Sequence, residues 1–260
     1  MFNKAIYSKV LFVFFCFLLL CSCQKSFQDR KTLRTTRSEI VKINTELGIT
    51  YMQNQQYDDA EEKLKKVIKI DPRNTDALNA MALLKSRTNQ EKLADYYFQK
   101  ALRTDSNNPI INNNYGQFLC TIGLYKQGLN YLEIAVEKYG DNTKVIALLN
   151  SGICAKTSGD IELAISFIDS ALRISPNYSN AIIELSSLMI QKQDYQRAAT
   201  LLSRFNKISK PTSLSLYTGY LISKQKGQLN ESKRLRILLK NLFPFSKENV
   251  QLTNNLNNES

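Results

Sequence analysis

Histidine and tryptophan are both absent from the 260 residues. Without histidine there is no Ser-His-Asp triad, no Cys-His pair and no His-ligated zinc or haem, which removes the commonest hydrolytic and metal-dependent sites. A glycine-rich phosphate loop and a nucleophile–base signature are missing as well, so the chain reads as non-enzymatic, with no cofactor and no small-molecule substrate. Long apolar runs are also scarce. The one that stands out, Val10 to Leu20, is 11 residues, about half of the ~20 that a membrane-spanning helix needs.

That short run follows Lys4 and Lys9 and reads as a secretory signal. The next four residues, Leu20-Cys21-Ser22-Cys23, resemble the bacterial lipobox. By that resemblance residues 1–22 are removed and Cys23 carries diacylglycerol plus an N-acyl chain such as palmitate. Several acyl chains give a stable anchor, since each buried CH₂ contributes about 0.8 kcal/mol. Gln24, standing where an Asp would retain the protein, implies sorting to the outer membrane, facing the periplasm. Residues 23–40 are polar and basic and read as a tether, with a short extra helix from Ser38 onward as the alternative.

The formal charge of +12 at first suggests nucleic acid or an anionic membrane. Its distribution is uneven. Residues 41–199 are neutral, the tether carries +3, and residues 200–260 carry +7. A neutral body in an exported chain argues against nucleic acid.

That body repeats every 34 residues. The windows are 41–74, 75–108, 109–142, 145–178, 179–212 and 213–246; the first five hold a small residue in a first helix (Gly48, Ala82, Gly116, Gly152, Ser186), and all six hold another early in a second (Ala60, Ala94, Gly128, Ala164, Ala198, Ser232). Large apolar residues fill the 3- and 4-residue spacings around them. All five prolines lie at or near window boundaries, where a helix must stop. Thr143-Lys144 is a two-residue insertion, and residues 247–260 read as a polar tail. The acidic cluster Asp58, Asp59, Glu61 and Glu62 opens a second helix, where carboxylates favour the helix dipole. Asp105-Ser106-Asn107-Asn108 and Asp141-Asn142 read as inter-repeat turns, lacking the Gly and Glu of a calcium loop.

The period and pattern resemble the tetratricopeptide repeat (TPR), which implies an all-α superhelical solenoid of six helix pairs. Two departures are local. The Trp common at the fourth position is absent, and Arg236 stands where the sixth window should hold a large apolar residue, which makes that repeat a degenerate cap. In TPR proteins the first helices line a concave face that binds peptides. By that resemblance the groove positions are Ile49, Met52, Asn79, Leu83, Ile110, Asn113, Gln117, Leu149, Ile153, Ile183 and Ile190. Apolar residues with a few amides suit an amphipathic or extended apolar peptide, although each of them equally suits packing between repeats.

The runs Asn113-Asn114-Tyr115-Gly116-Gln117-Phe118-Leu119-Cys120 and Asn150-Ser151-Gly152-Ile153-Cys154, the insertion between them and the ending Leu242-Phe243-Pro244-x-Ser246 are similar to the PilF/PilW family of lipid-anchored, six-TPR proteins of type IV pilus biogenesis. The resemblance implies a pilotin, which helps the pilus secretin reach, assemble in or remain in the outer membrane. The rival reading is a TPR lipoprotein adaptor for another envelope machine, such as peptidoglycan enzymes or outer-membrane assembly. Cys120 and Cys154 fall on neighbouring first helices in an oxidising compartment and so either form a disulfide or stay as two buried thiols.

Overall fold

The computed structural model describes residues 36–138 and 140–259. Among them are 13 α-helices and no strand. They form two compact units, one ending at Asp105 and the other beginning at Ser106. The lipobox, Cys23 and most of the tether lie outside the described residues.

The first unit holds α1 (36–53), α2 (Tyr57–Ile70), α3 (Thr75–Arg87) and α4 (Glu91–Thr104). Its core is Met52, Ala60, Leu64, Val67, Ala77, Met81 and Leu84. The small residues set the helix spacing: a Cβ on Gly48 would lie 2.7 Å from Leu64 Cγ. Lys85 is buried on α3 and is neutralised by Glu61 at 2.7 Å, which also takes Lys65 at 2.8 Å. Hydrogen bonds from Lys65 and then Lys85 hold the Glu61 carboxyl below its usual range.

The second unit runs α5 (Pro109–Thr121), α6 (Tyr125–Lys138), α7 (Asp141–Thr157), α8 (Ile161–Ile174), α9 (Ser179–Gln191), α10 (Tyr195–Ile208), α11 (Ser213–Gln225), α12 (Leu229–Leu242) and α13 (Lys247–Glu259). Each odd helix through α11 packs against the even helix after it, and α7, α9 and α11 also pack on the helix before. Helix starts are written in the sequence. Asn108, Asp160 and Asp194 each accept backbone N–H bonds from the first turn of the next helix, and Thr212 with Ser215 forms a capping box.

One backbone feature recurs in all six repeats. Gln55, Asn89, Gly123, Gly159, Gln193 and Gly227 have φ of +57° to +93°, and all stand fifteenth in their windows. A two-residue reversal between antiparallel helices needs a left-handed residue there. Glycine supplies it freely, whereas glutamine and asparagine do so at a cost.

Three expectations need correction. Residues 36–40, assigned to the tether, are helical and form the first turns of α1. Asp141-Asn142 is not a turn but helical, as is the Thr143-Lys144 insertion. All four residues lengthen the start of α7, which has 17 residues where its counterparts α3, α5, α9 and α11 have 13. The polar tail 247–260 is largely α13. Ser246 Oγ accepts from Asn249 N at 3.2 Å, and buried Leu252 joins Leu216, Tyr217, Tyr220 and Leu239. The tail's anchor is one leucine, too little to show as an apolar period in the sequence.

Candidate peptide-binding face

The first-helix positions of the two units behave differently from a uniformly apolar groove. In the first unit Met52 is buried and Ile49, Asn79 and Leu83 are half-buried. In the second, Leu149, Ile183 and Asn113 are buried and Ile190 is half-buried, whereas Ile110, Gln117 and Ile153 are exposed. The aliphatic side chains at Leu149 and Ile183 belong to the core between α7, α8 and α9. Burial of the fifth position in successive first helices follows from their side-by-side packing, which covers apolar side chains pointing toward a neighbour.

What stays accessible is concentrated on α5 and α7. Asn150 Nδ2 on α7 donates to Asn113 Oδ1 on α5 at 2.9 Å. Gln117 Nε2 donates weakly to Asn150 Oδ1 at 3.4 Å, and Asn113 Nδ2 donates to Asn114 Oδ1 at 3.2 Å. Four amides thus form a ladder from one helix to the next. Exposed Ile110, Ile146 and Ile153 lie on the same two helices. Next along, Lys156 on α7 is paired with Glu184 on α9 at 2.8 Å. Side-chain amides offer donors and acceptors without net charge, which suits the backbone of an extended or helical peptide, and isoleucines suit its apolar side chains. Ile146 and Asn150 were not singled out from the sequence. Asn150 sits at the sixth position of its window, one past the fifth, and only the partnership with Asn113 reveals it.

The ladder rests on a clamped pair of helices. Cys120 and Cys154 are joined in a disulfide with Cα atoms 5.4 Å apart. Leu132 is buried with them, and Tyr125 and Leu129 pack alongside. On the same face of α5 as Cys120, a Cβ on Gly116 would stand 2.7 Å from Gly128 O, so α5 and α6 touch backbone to backbone. A Cβ on Gly128 would collide with Cys120 Sγ.

A second concavity lies between α10 and α12. Its volume is about 580 Å³, with Ser215, Leu216, Gly219 and Ile222 of α11 as floor and Leu202, Leu235 and Leu238 among its walls. On its rim Arg234 donates to both Glu231 oxygens, at 2.6 and 2.7 Å, which lowers the Glu231 pKa. The sixth repeat keeps its helix pair. Arg236 points to solvent while Leu235 and Leu239 pack on α11, and a Cβ on Gly219 would find its nearest atom at 3.2 Å, looser than the 2.7 Å at Gly48 and Gly116.

The tetratricopeptide-repeat profile matches residues 41–74 and again 146–178, close to the first and fourth windows. The type IV pilus assembly protein PilF of Pseudomonas aeruginosa is 27% identical over 224 residues, which is 85% of this chain and 88% of PilF. The solved structure of that PilF superposes with a TM-score of 0.71 at 25% identity, covering 85% of this chain and 99% of PilF. The crystal structure of PilW, a widely conserved type IV pilus biogenesis factor, gives 0.72 at 26% identity, covering 82% and 98%. The chain is a TPR protein similar to PilF and PilW along most of its length. As such a TPR protein it is not an enzyme, consistent with the character of its PilF and PilW relatives as pilus assembly and biogenesis factors.

Proposed function

We propose that this PilF- and PilW-like chain serves type IV pilus biogenesis as a lipid-anchored outer-membrane pilotin, facing the periplasm and binding a segment of the pilus secretin. The observation that carries the reading is the 27% identity to a pilus assembly protein along nearly the whole of both chains. Cys23 holds the chain at the outer membrane by its acyl chains. Tethering raises the local concentration of any secretin subunit that the repeats hold, so modest affinity suffices. The segment lies on the α5–α7 face, with its backbone on the Asn150 and Gln117 amides, which buried Asn113 helps to hold, and its apolar side chains on Ile110, Ile146 and Ile153.

The reading is tested with purified chain from residue 24 and the periplasmic part of the secretin. Asn150→Ala removes the centre of the ladder and should weaken binding about tenfold, the cost of one or two well-made hydrogen bonds. Ile153→Asp should abolish it. Unchanged affinity in both variants would remove the α5–α7 face from the mechanism, and no binding by the parent would remove the secretin.

A further inference from the structure

Seven large apolar side chains among the described residues are more than half exposed, and five of them fall between residues 229 and 250: Leu229, Ile237, Leu242, Phe245 and Val250. Phe245 is 96% exposed, at the corner between α12 and α13. A phenylalanine held this far into water at an ordered corner forgoes nearly all of its transfer free energy, so something outside the monomer accepts it.

The outward stripe of α12 gives the chemistry of that something. Leu229, Lys233, Ile237 and Lys240 follow one another at spacings of four, four and three, and all are exposed. Lys233, Arg236 and Lys240 make no ion pair among the described residues, whereas Arg234 is taken by Glu231 and lines the cleft on another flank. Residues 200–260 carry +7 in a protein whose residues 41–199 are neutral. Apolar side chains alternating with cations on one helix face, ending on a protruding aromatic ring, fit the boundary between anionic head groups and acyl chains. The rings and methyls enter, and the lysines reach back to phosphate. The pocket of this repeat is the cleft lined by Leu235 and Leu238, not the Leu229–Lys240 stripe.

We infer that the outer stripe of α12 and the Phe245 corner form a peripheral membrane contact that binds anionic phospholipid head groups and inserts Phe245 shallowly. The contact is separate from Cys23 and from the α5–α7 face, so it stands or falls independently of the secretin reading.

The test is co-flotation of the unlipidated chain from residue 24, which retains every described helix. The probes are vesicles of phosphatidylethanolamine with phosphatidylglycerol, and vesicles of phosphatidylcholine. Binding should favour the anionic vesicles and collapse at about 1 M salt, where the Debye length is about 3 Å. Phe245→Ser should weaken it about tenfold or more, and K233E/K240E should remove most of what remains. These positions are exposed, so helix content by circular dichroism stays unchanged. The basic segment 24–37 is common to parent and variants, and the difference between them isolates the corner. Equal binding of parent, F245S and K233E/K240E to anionic vesicles would overturn the inference. So would self-association that F245S abolishes while vesicle binding is unaffected, which would make the corner an interface between copies.

Discussion

Reducing the Cys120–Cys154 disulfide should weaken the protein chiefly at one interface. The bond closes a loop with a sequence separation of 34 residues, one repeat period. For that length the chain-entropy relation gives about 3.8 kcal/mol at ~25 °C. Reductant is a cleaner perturbation than substitution. The thiols it leaves still pack as small hydrophobes beside Leu132, so the crosslink is removed and the packing is not. With an m-value of about 2–3 kcal/mol/M, the urea midpoint should fall by about 1–2 M, and the melting temperature by roughly 8–15 °C. Stacked repeats are stabilised largely by nearest-neighbour interfaces, so amide exchange should accelerate first in α5 and α7. The chain from residue 24 contains only these two cysteines, which keeps the assay free of other thiols. An unchanged midpoint with reductant, or two titratable thiols in the unreduced, unfolded chain, would refute the reasoning.

Gly116→Ala should cost about 3 kcal/mol or more in urea unfolding, because its methyl meets the Gly128 carbonyl at 2.7 Å and Leu132 Cγ at 2.8 Å, and backbone cannot step aside. Gln193→Gly should do the opposite, raising stability by roughly 0.5–1 kcal/mol, since Gln193 holds φ of +60° at an exposed turn. Glu61→Gln leaves Lys85, with only 6% of its side chain exposed, without its carboxylate, and should cost about 1–3 kcal/mol at neutral pH. The folded pKa of Glu61 lies below the unfolded 4.5, so its contribution is complete above 4.5 and is lost as pH falls through the folded value. Thermal melts of parent and variant should therefore converge in acid, and a gap that stays constant with pH would contradict the assignment.

Repeat architecture was legible because the windows recur around points of closest approach that only a small residue can occupy. Gly48 against Leu64, Gly116 against Gly128 and Gly152 against Ile168 are such points, and their recurrence fixes the register of everything between them. The sixth-repeat anomaly at Arg236 was legible for the same reason. Corresponding positions Leu64, Phe98, Leu132 and Ile168 are fully buried, while Arg236 is exposed. The face was only partly legible. A first-helix isoleucine has the same spacing whether it packs on the next repeat, as Ile183 does, or meets solvent, as Ile153 does. Exposure depends on the neighbour, not on the window. The Asn113–Asn150 bond links residues 37 apart and is invisible to any local pattern. Helix α13 was missed because capping by Ser246 and one buried leucine define it, with no apolar period to announce it.

The central claim is that the chain brings the pilus secretin to the outer membrane and keeps it assembled there. Its most direct test is the amount of secretin multimer in outer-membrane fractions from a strain lacking the protein, complemented with the parent or with Cys23→Ser. The account predicts multimers lost in the deletion, restored by the parent, and lost from the outer membrane with the unlipidated variant. Normal outer-membrane multimers in the deletion strain would contradict it.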